Sequence, residues 1–144
     1  MNVVTKACLG AAVALAGLAG PALPAASADT GAPARAAARC SIKVWGYQGY
    51  YKCGTRVKEG YVDWNRDGRV DEVFVIAQNR TIWHTWKNAG GWKEVPGNGR
   101  ADDMMGPNGT GDPRRCIVVY VNKGYHYWQN CFYNGKWHKW TTSG

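Results

Sequence analysis

The cysteines constrain this chain more than any other feature. Cys40 and Cys53 close one stretch, CSIKVWGYQGYYKC, and Cys116 and Cys131 close another, CIVVYVNKGYHYWQNC. Each reads as two short strands rich in β-branched and aromatic residues around a glycine-containing turn, the signature of a β-hairpin. In the first, a two-residue loop at Gly46-Tyr47 gives Gly46 the positive φ of a type II′ turn, and it pairs Trp45 with Gln48, Val44 with Gly49 and Ile42 with Tyr51. The same register sets Cys40 opposite Cys53. In the second, a loop at Lys123-Gly124 pairs Asn122 with Tyr125 and sets Cys116 opposite Cys131. Facing residues on adjacent strands lie close enough for a disulfide, so two local bridges are predicted. Zinc would need closely spaced C-x2-C pairs, and the spacings here are 13, 63 and 15 residues.

The fifth cysteine, Cys8, belongs to a different kind of segment. Lys6 is the only charge in residues 1–28, an apolar run follows it from Ala7 to Leu18, and Ala26-Ser27-Ala28 offers small residues for a signal peptidase. This reads as a secretory signal peptide. Gly17, Gly20, Pro21 and Pro24 interrupt the apolar stretch before it reaches the roughly 20 residues that a membrane span needs. Removing the leader leaves a mature chain from about Asp29, of 116 residues, with 17 basic and 10 acidic side chains and an even set of four cysteines. A small, disulfide-bonded, secreted domain without a membrane span is expected. Residues 29–39, DTGAPARAAAR, have nothing to bury and read as a flexible Ala/Arg/Pro tail. Residues 40–144 form the single domain.

Between the two cysteine hairpins lies a third without cysteines, VFVIAQNRTIWHTW, with its turn near Asn79-Arg80. A short extra segment follows each hairpin: Arg56 to Val62, Trp92 to Val95, and Lys136 to Thr142. No stretch carries helical periodicity. The expected fold is all-β, about three antiparallel hairpin or meander units of short strands, with β-trefoil-like and partial propeller-like arrangements as alternatives. Only two Phe accompany the eight Trp and eight Tyr. The core is therefore expected to draw on Val, Trp and Tyr, with about half of the Trp and Tyr rings inside it. The rest would be surface aromatics of the kind that mark binding sites.

Two local motifs carry chemistry. DWNRDGRVD, Asp63 to Asp71, places oxygen donors as a calcium loop does, with side chains from Asp63, Asn65 and Asp67, the carbonyl of Arg69 and a further ligand from Asp71 around Gly68. Its twelfth position is Phe74, so it is no EF-hand, and an Asx-rich turn without metal is the alternative, favoured by the cations Arg66 and Arg69 beside the site. The run resembles the D-x-N-x-D-G-x-x-D loops of FG-GAP/VCBS propeller repeats, which implies calcium as a cofactor. TIWHTWKNAGGWKEV resembles a repeat of lectin-type β-propellers, matching at Trp83, His84, Trp86, Gly90, Gly91 and Trp92, with a weaker echo in YHYWQNCFYNGKWHKW. That resemblance implies glycan recognition by Trp83, His84, Trp86 and Trp92. Trp128 and Trp137 join them as ligand-binding candidates.

Catalysis finds little to work with. Ser41 and Ser143 are the only mature serines, one beside a bridge and one at the terminus, and all four cysteines are paired. His84, His126 and His138 show no metal-binding spacing. A carboxylate pair for a small secreted hydrolase could be drawn only from Glu59, Glu72, Glu94, Asp102 and Asp103. Aromatic-basic runs such as KWHKW suit single-stranded nucleic acid, but the basic residues are dispersed and export argues against that partner. Residues Pro33, Arg35 and Arg39 of the tail suit the cleft of another secreted protein. With its size and aromatic hairpins, the chain resembles the adaptor subunit of the actinobacterial umbrella-toxin particles. The expected function is a secreted, non-enzymatic binding module, a protein-binding adaptor or lectin-like component of an extracellular assembly. A stand-alone carbohydrate-binding lectin is the alternative.

Overall fold

The computed structural model describes residues 39–122 and 125–144, and over them the chain is built from strands in antiparallel sheets. Strands β1 (Arg39–Val44) and β2 (Tyr47–Lys52) form a hairpin by themselves. A 3-10 turn at Val57–Gly60 leads into a four-stranded meander of β3 (Tyr61–Val62), β4 (Glu72–Ile76), β5 (Ile82–Trp86) and β6 (Lys93–Glu94). The last sheet runs through β7 (Asp103–Asn108), β8 (Arg115–Val121), β9 (His126–Tyr133) and β10 (Lys136–Trp137), with β11 (Thr141–Thr142) also pairing with β9. Among the described residues no sheet closes into a barrel, which the trefoil-like alternative requires.

Both expected disulfides are present, Cys40–Cys53 and Cys116–Cys131. The second follows the expected register, with Cys116 facing Cys131 and Val121 facing His126. Its expected loop, Lys123-Gly124, lies outside the described residues. The first register is corrected. The loop is Trp45-Gly46, not Gly46-Tyr47, and Val44 pairs with Tyr47 and Ile42 with Gly49. Both loop residues have positive φ, 48° for Trp45 and 88° for Gly46, so the turn is of the I′ kind, with glycine second rather than first. The slip is two residues along β2. Because side chains alternate with period two, an even slip leaves every residue on its expected face. Cys53 therefore becomes the diagonal neighbour of Cys40, whose direct partner is Tyr51, and the Cα atoms are still 5.1 Å apart.

The middle hairpin turns where expected. Ala77 and Thr81 close the loop through a backbone bond of 2.8 Å, Arg80 takes the left-handed position at φ 70°, and the Asn79 side chain accepts from Thr81 N–H and Oγ1. Of the short segments after the hairpins, β6 and β10 fold back on the preceding strand, whereas β3 leaves its own hairpin and pairs with β4. Strand β7 was not expected, because its Gly106-Pro107 pair reads as a turn. The proline is accommodated on an edge strand, next to a register shift between Met104 and Gly106.

Strand β4 is buried on both faces. Phe74 and Ile76 face the last sheet and form one core with Val62, Trp64, Ile82, Val95, Ala101, Met104, Ile117 and Val119. On the opposite face Val75 shares a cleft with Gly49 and Tyr50 of β2. This core keeps the expected Val but admits fewer Trp and Tyr rings than expected. Trp64 is the only one of the sixteen Trp and Tyr residues that is fully buried, and aliphatic residues do most of the filling. Trp128, Trp137 and Trp140 pack against the core from its margins.

Candidate functional site

Alternation along β5 decides which aromatic residues can act together. Glu72 faces Trp86 and Phe74 faces His84 across the β4–β5 ladder, so these four share one side of the sheet. Trp83 points to the other side. On the first side opens a cleft of about 590 Å³, lined by Trp64, Glu72, His84, Trp86, Phe132 and Trp137 among others. Trp137 reaches it because β10 folds back and sets this residue opposite Phe132.

The floor is polar and closely bonded. The Glu72 carboxylate holds His84 Nδ1 at 2.5 Å through Oε1 and accepts the Trp64 indole N–H at 2.7 Å through Oε2. The His84 ring stacks on Phe74, its centroid 5.4 Å away, and Trp137 stands perpendicular to it at the same distance. Trp86 tilts over its edge at 5.3 Å. Burying these groups without partners would cost about 1–3 kcal/mol each, and the Glu72 bridge removes that cost. Trp86 and Trp137 stay half-buried, each leaving part of an indole open to the cleft.

Three cations line the same cleft: Arg69, Lys87 and Arg115. The Arg115 guanidinium lies 6.0 Å over the Trp64 ring, and Lys93 Nζ is 5.9 Å from the centre of the Trp86 ring. The acidic members of the lining are occupied locally. Asp71 Oδ2 accepts from Trp64 N–H, Asp67 accepts from Arg69 N–H and the Asn65 amide, and Glu72 is committed as described.

The other expected ligand-binding residues lie elsewhere. Trp83 and Trp92 line a cleft of about 290 Å³ under β2, where the Trp92 N–H reaches the Tyr47 carbonyl at 3.4 Å. Trp128 lines a third cleft, of about 430 Å³, with Trp140 and the Gly97-Asn98-Gly99 turn. The six expected residues thus divide among three clefts: His84, Trp86 and Trp137 in one, Trp83 and Trp92 in the second, and Trp128 in the third. Trp64, Lys87 and Arg115 were missed, and Glu72 had been noted only as a carboxylate. Counting in twos along β4 and β5 would have paired Glu72 with Trp86 and set Trp83 apart.

The remaining expected residues have definite places. In the Asp63–Asp71 loop, Asp63 accepts the amides of Asp67 at 3.1 Å and Gly68 at 2.7 Å, and Asn65 Oδ1 also accepts from Asp67 N–H. Gly68 has φ 83°, as the tight turn requires. Backbone amides thus shape this loop. Among the described residues no group of three or more His, Cys, Asp or Glu side chains is gathered to hold a metal. The carboxylates considered for hydrolysis mostly join elements: Asp102 pairs with Arg80 and Asp103 with Arg56, both at 2.9 Å, and Glu94 with Arg100 at 3.5 Å. Glu59 is exposed on the 3-10 turn. Pro33 and Arg35 of the tail lie outside the described residues, whereas Arg39 already belongs to β1, its guanidinium 4.0 Å over Tyr50.

No family model, curated protein or solved structure matches this chain. Fold and site define it as a class: a two-disulfide, all-β chain of antiparallel sheets with an aromatic, histidine-floored cleft. The bridges accord with an oxidising compartment. Among the described residues no helix is long and apolar enough to cross a membrane.

Proposed function

We propose that this protein is a secreted, non-enzymatic binding module whose ligand is a glycan seated in the cleft between Trp86 and Trp137. The observation that carries the reading is the pair of half-open indoles around a fixed polar floor, Glu72 bonded to both His84 and Trp64. Sugar rings offer an apolar face for stacking and hydroxyls for hydrogen bonds, and pockets that combine apolar walls with a few placed polar groups suit such ligands. The test is a glycan array with wild type, Trp86→Ala and Trp137→Ala. Each variant is expected to lose about 1–3 kcal/mol of binding, by analogy with the loss when an aromatic side chain that stacks on a nucleic-acid base is replaced by alanine. A variant pair that binds like wild type removes the cleft from recognition. Turnover of a bound glycan that disappears in Glu72→Gln would instead make the protein a hydrolase.

The adaptor reading rests on the tail composition, Pro33, Arg35 and their neighbours. Because Arg39 is part of β1, the segment to delete is residues 29–38. On this reading, deletion abolishes recovery of a protein partner from culture supernatant and leaves glycan binding unchanged. Equal recovery with and without the segment removes the adaptor role.

A further inference from the structure

The charge around the cleft says which glycans it suits. Arg69, Lys87 and Arg115 all line it, and the ion pairs among the described residues, Arg56–Asp103, Arg80–Asp102, His84–Glu72 and Arg100–Glu94, include none of the three. The three carboxylates in the same lining balance these charges in number, and each accepts neighbouring donors: Asp71 the Trp64 backbone N–H, Asp67 the Arg69 N–H, and Glu72 the Trp64 indole and His84. Arg115 is further placed by its stacking over Trp64, which keeps its guanidinium beside the cleft. A ligand resting on Trp86 and Trp137 therefore meets three cations that make no ion pair among the described residues, beside carboxylates that keep their charge but direct oxygens to neighbouring N–H groups.

Resting on the glycan reading above, we propose that the cleft selects an acidic saccharide, a pyranose carrying a ring carboxylate, with its ring on Trp86 and Trp137 and its carboxylate toward Arg115 and Lys87. A guanidinium can meet a carboxylate with two parallel N–H···O bonds, and charge-assisted bonds of this kind are about twice as strong as neutral ones. A neutral sugar would gain the stacking and its hydroxyl hydrogen bonds, but no charge-assisted bond. The juxtaposition of two open indoles with cations that have no ion pair accounts for both requirements at once.

The experiment compares, by calorimetry on the intact mature protein, an oligogalacturonate, a neutral gluco-oligosaccharide of the same length, and dextran sulfate. Oligogalacturonate is expected to bind roughly tenfold tighter than the neutral oligomer, the factor that about 1.4 kcal/mol corresponds to. Arg115→Gln and Lys87→Gln should each cut that affinity severalfold, with the salt dependence of screened charges. Lys87 is exposed, so its variant remains informative if loss of the Arg115 stacking on Trp64 harms folding. Equal affinity for the neutral oligomer overturns the acidic selectivity and leaves the glycan reading standing. Failure of both oligomers to bind overturns both. Dextran sulfate binding as tightly, with no loss in Trp86→Ala, would reduce the effect to general attraction for polyanions.

Discussion

Two residues show how closely this chain is fitted. Gly49 is buried in β2, and a Cβ placed on it would lie 2.5 Å from Trp92 Cε2, so Trp92 lies directly against the bare backbone. Gly49→Val is expected to push the indole away and destabilise the protein by about 1–3 kcal/mol, the usual cost of overpacking. A lowered melting temperature with altered tryptophan fluorescence is the measurement, and an unchanged melting curve would detach β2 from Trp92. Glu72 holds two buried partners, so Glu72→Ala leaves the Trp64 indole N–H and His84 without their acceptor. A loss of about 1–3 kcal/mol for each abandoned group is expected in urea unfolding, with Glu72→Gln closer to wild type. The Gly49–Trp92 contact cannot be seen in the sequence, because Gly49 lies in β2 and Trp92 in the loop before β6, and only packing brings them together. The Glu72–Trp86 relation could be read, since it needs only the period of two and the position of one turn.

The two bridges close loops of similar length but hold elements of different standing. The Cys40–Cys53 hairpin is a separate two-stranded sheet, while Cys116–Cys131 lies in the middle of the five-stranded one. In the chain-entropy picture each bridge is worth roughly 3 kcal/mol. Replacing Cys40 and Cys53 by serine is expected to release the first hairpin locally, seen as fast amide exchange over residues 39–54 with the sheets still protected. Replacing Cys116 and Cys131 should lower the global unfolding midpoint. Matching exchange patterns for the two variants would contradict this division. The Asp63–Asp71 loop makes a second claim at this scale. Its side chains bond to backbone amides, and comparing thermal unfolding in calcium and in chelator tests whether they also hold an ion: no difference would remove calcium from this loop. A rise of several degrees in calcium would assign an ion to Asp63, Asn65, Asp67 and Asp71, because a ligand of the native state adds stability.

At the scale of the whole molecule, one core joins the two larger sheets. Ile117 of β8 is fully buried in it together with Phe74 of β4. Ile117→Ala is expected to cost about 2–5 kcal/mol and to lower the protection of both sheets together. Loss confined to β7–β11 would mean that the sheets unfold independently. By itself the sequence determined the strand character, the three hairpins and both disulfides, because turn residues and the period of two act between neighbours. Even the mistaken first register kept its bridge, since a slip of two residues preserves faces. The tertiary structure alone decided that of the Trp and Tyr rings only Trp64 is fully buried, that β3 pairs with β4, that Gly106-Pro107 lies in an edge strand, and that the candidate tryptophans part into three clefts. Those outcomes depend on which face of one sheet meets another. Such meetings are set by packing across strands far apart in the chain, to which local periodicity is blind.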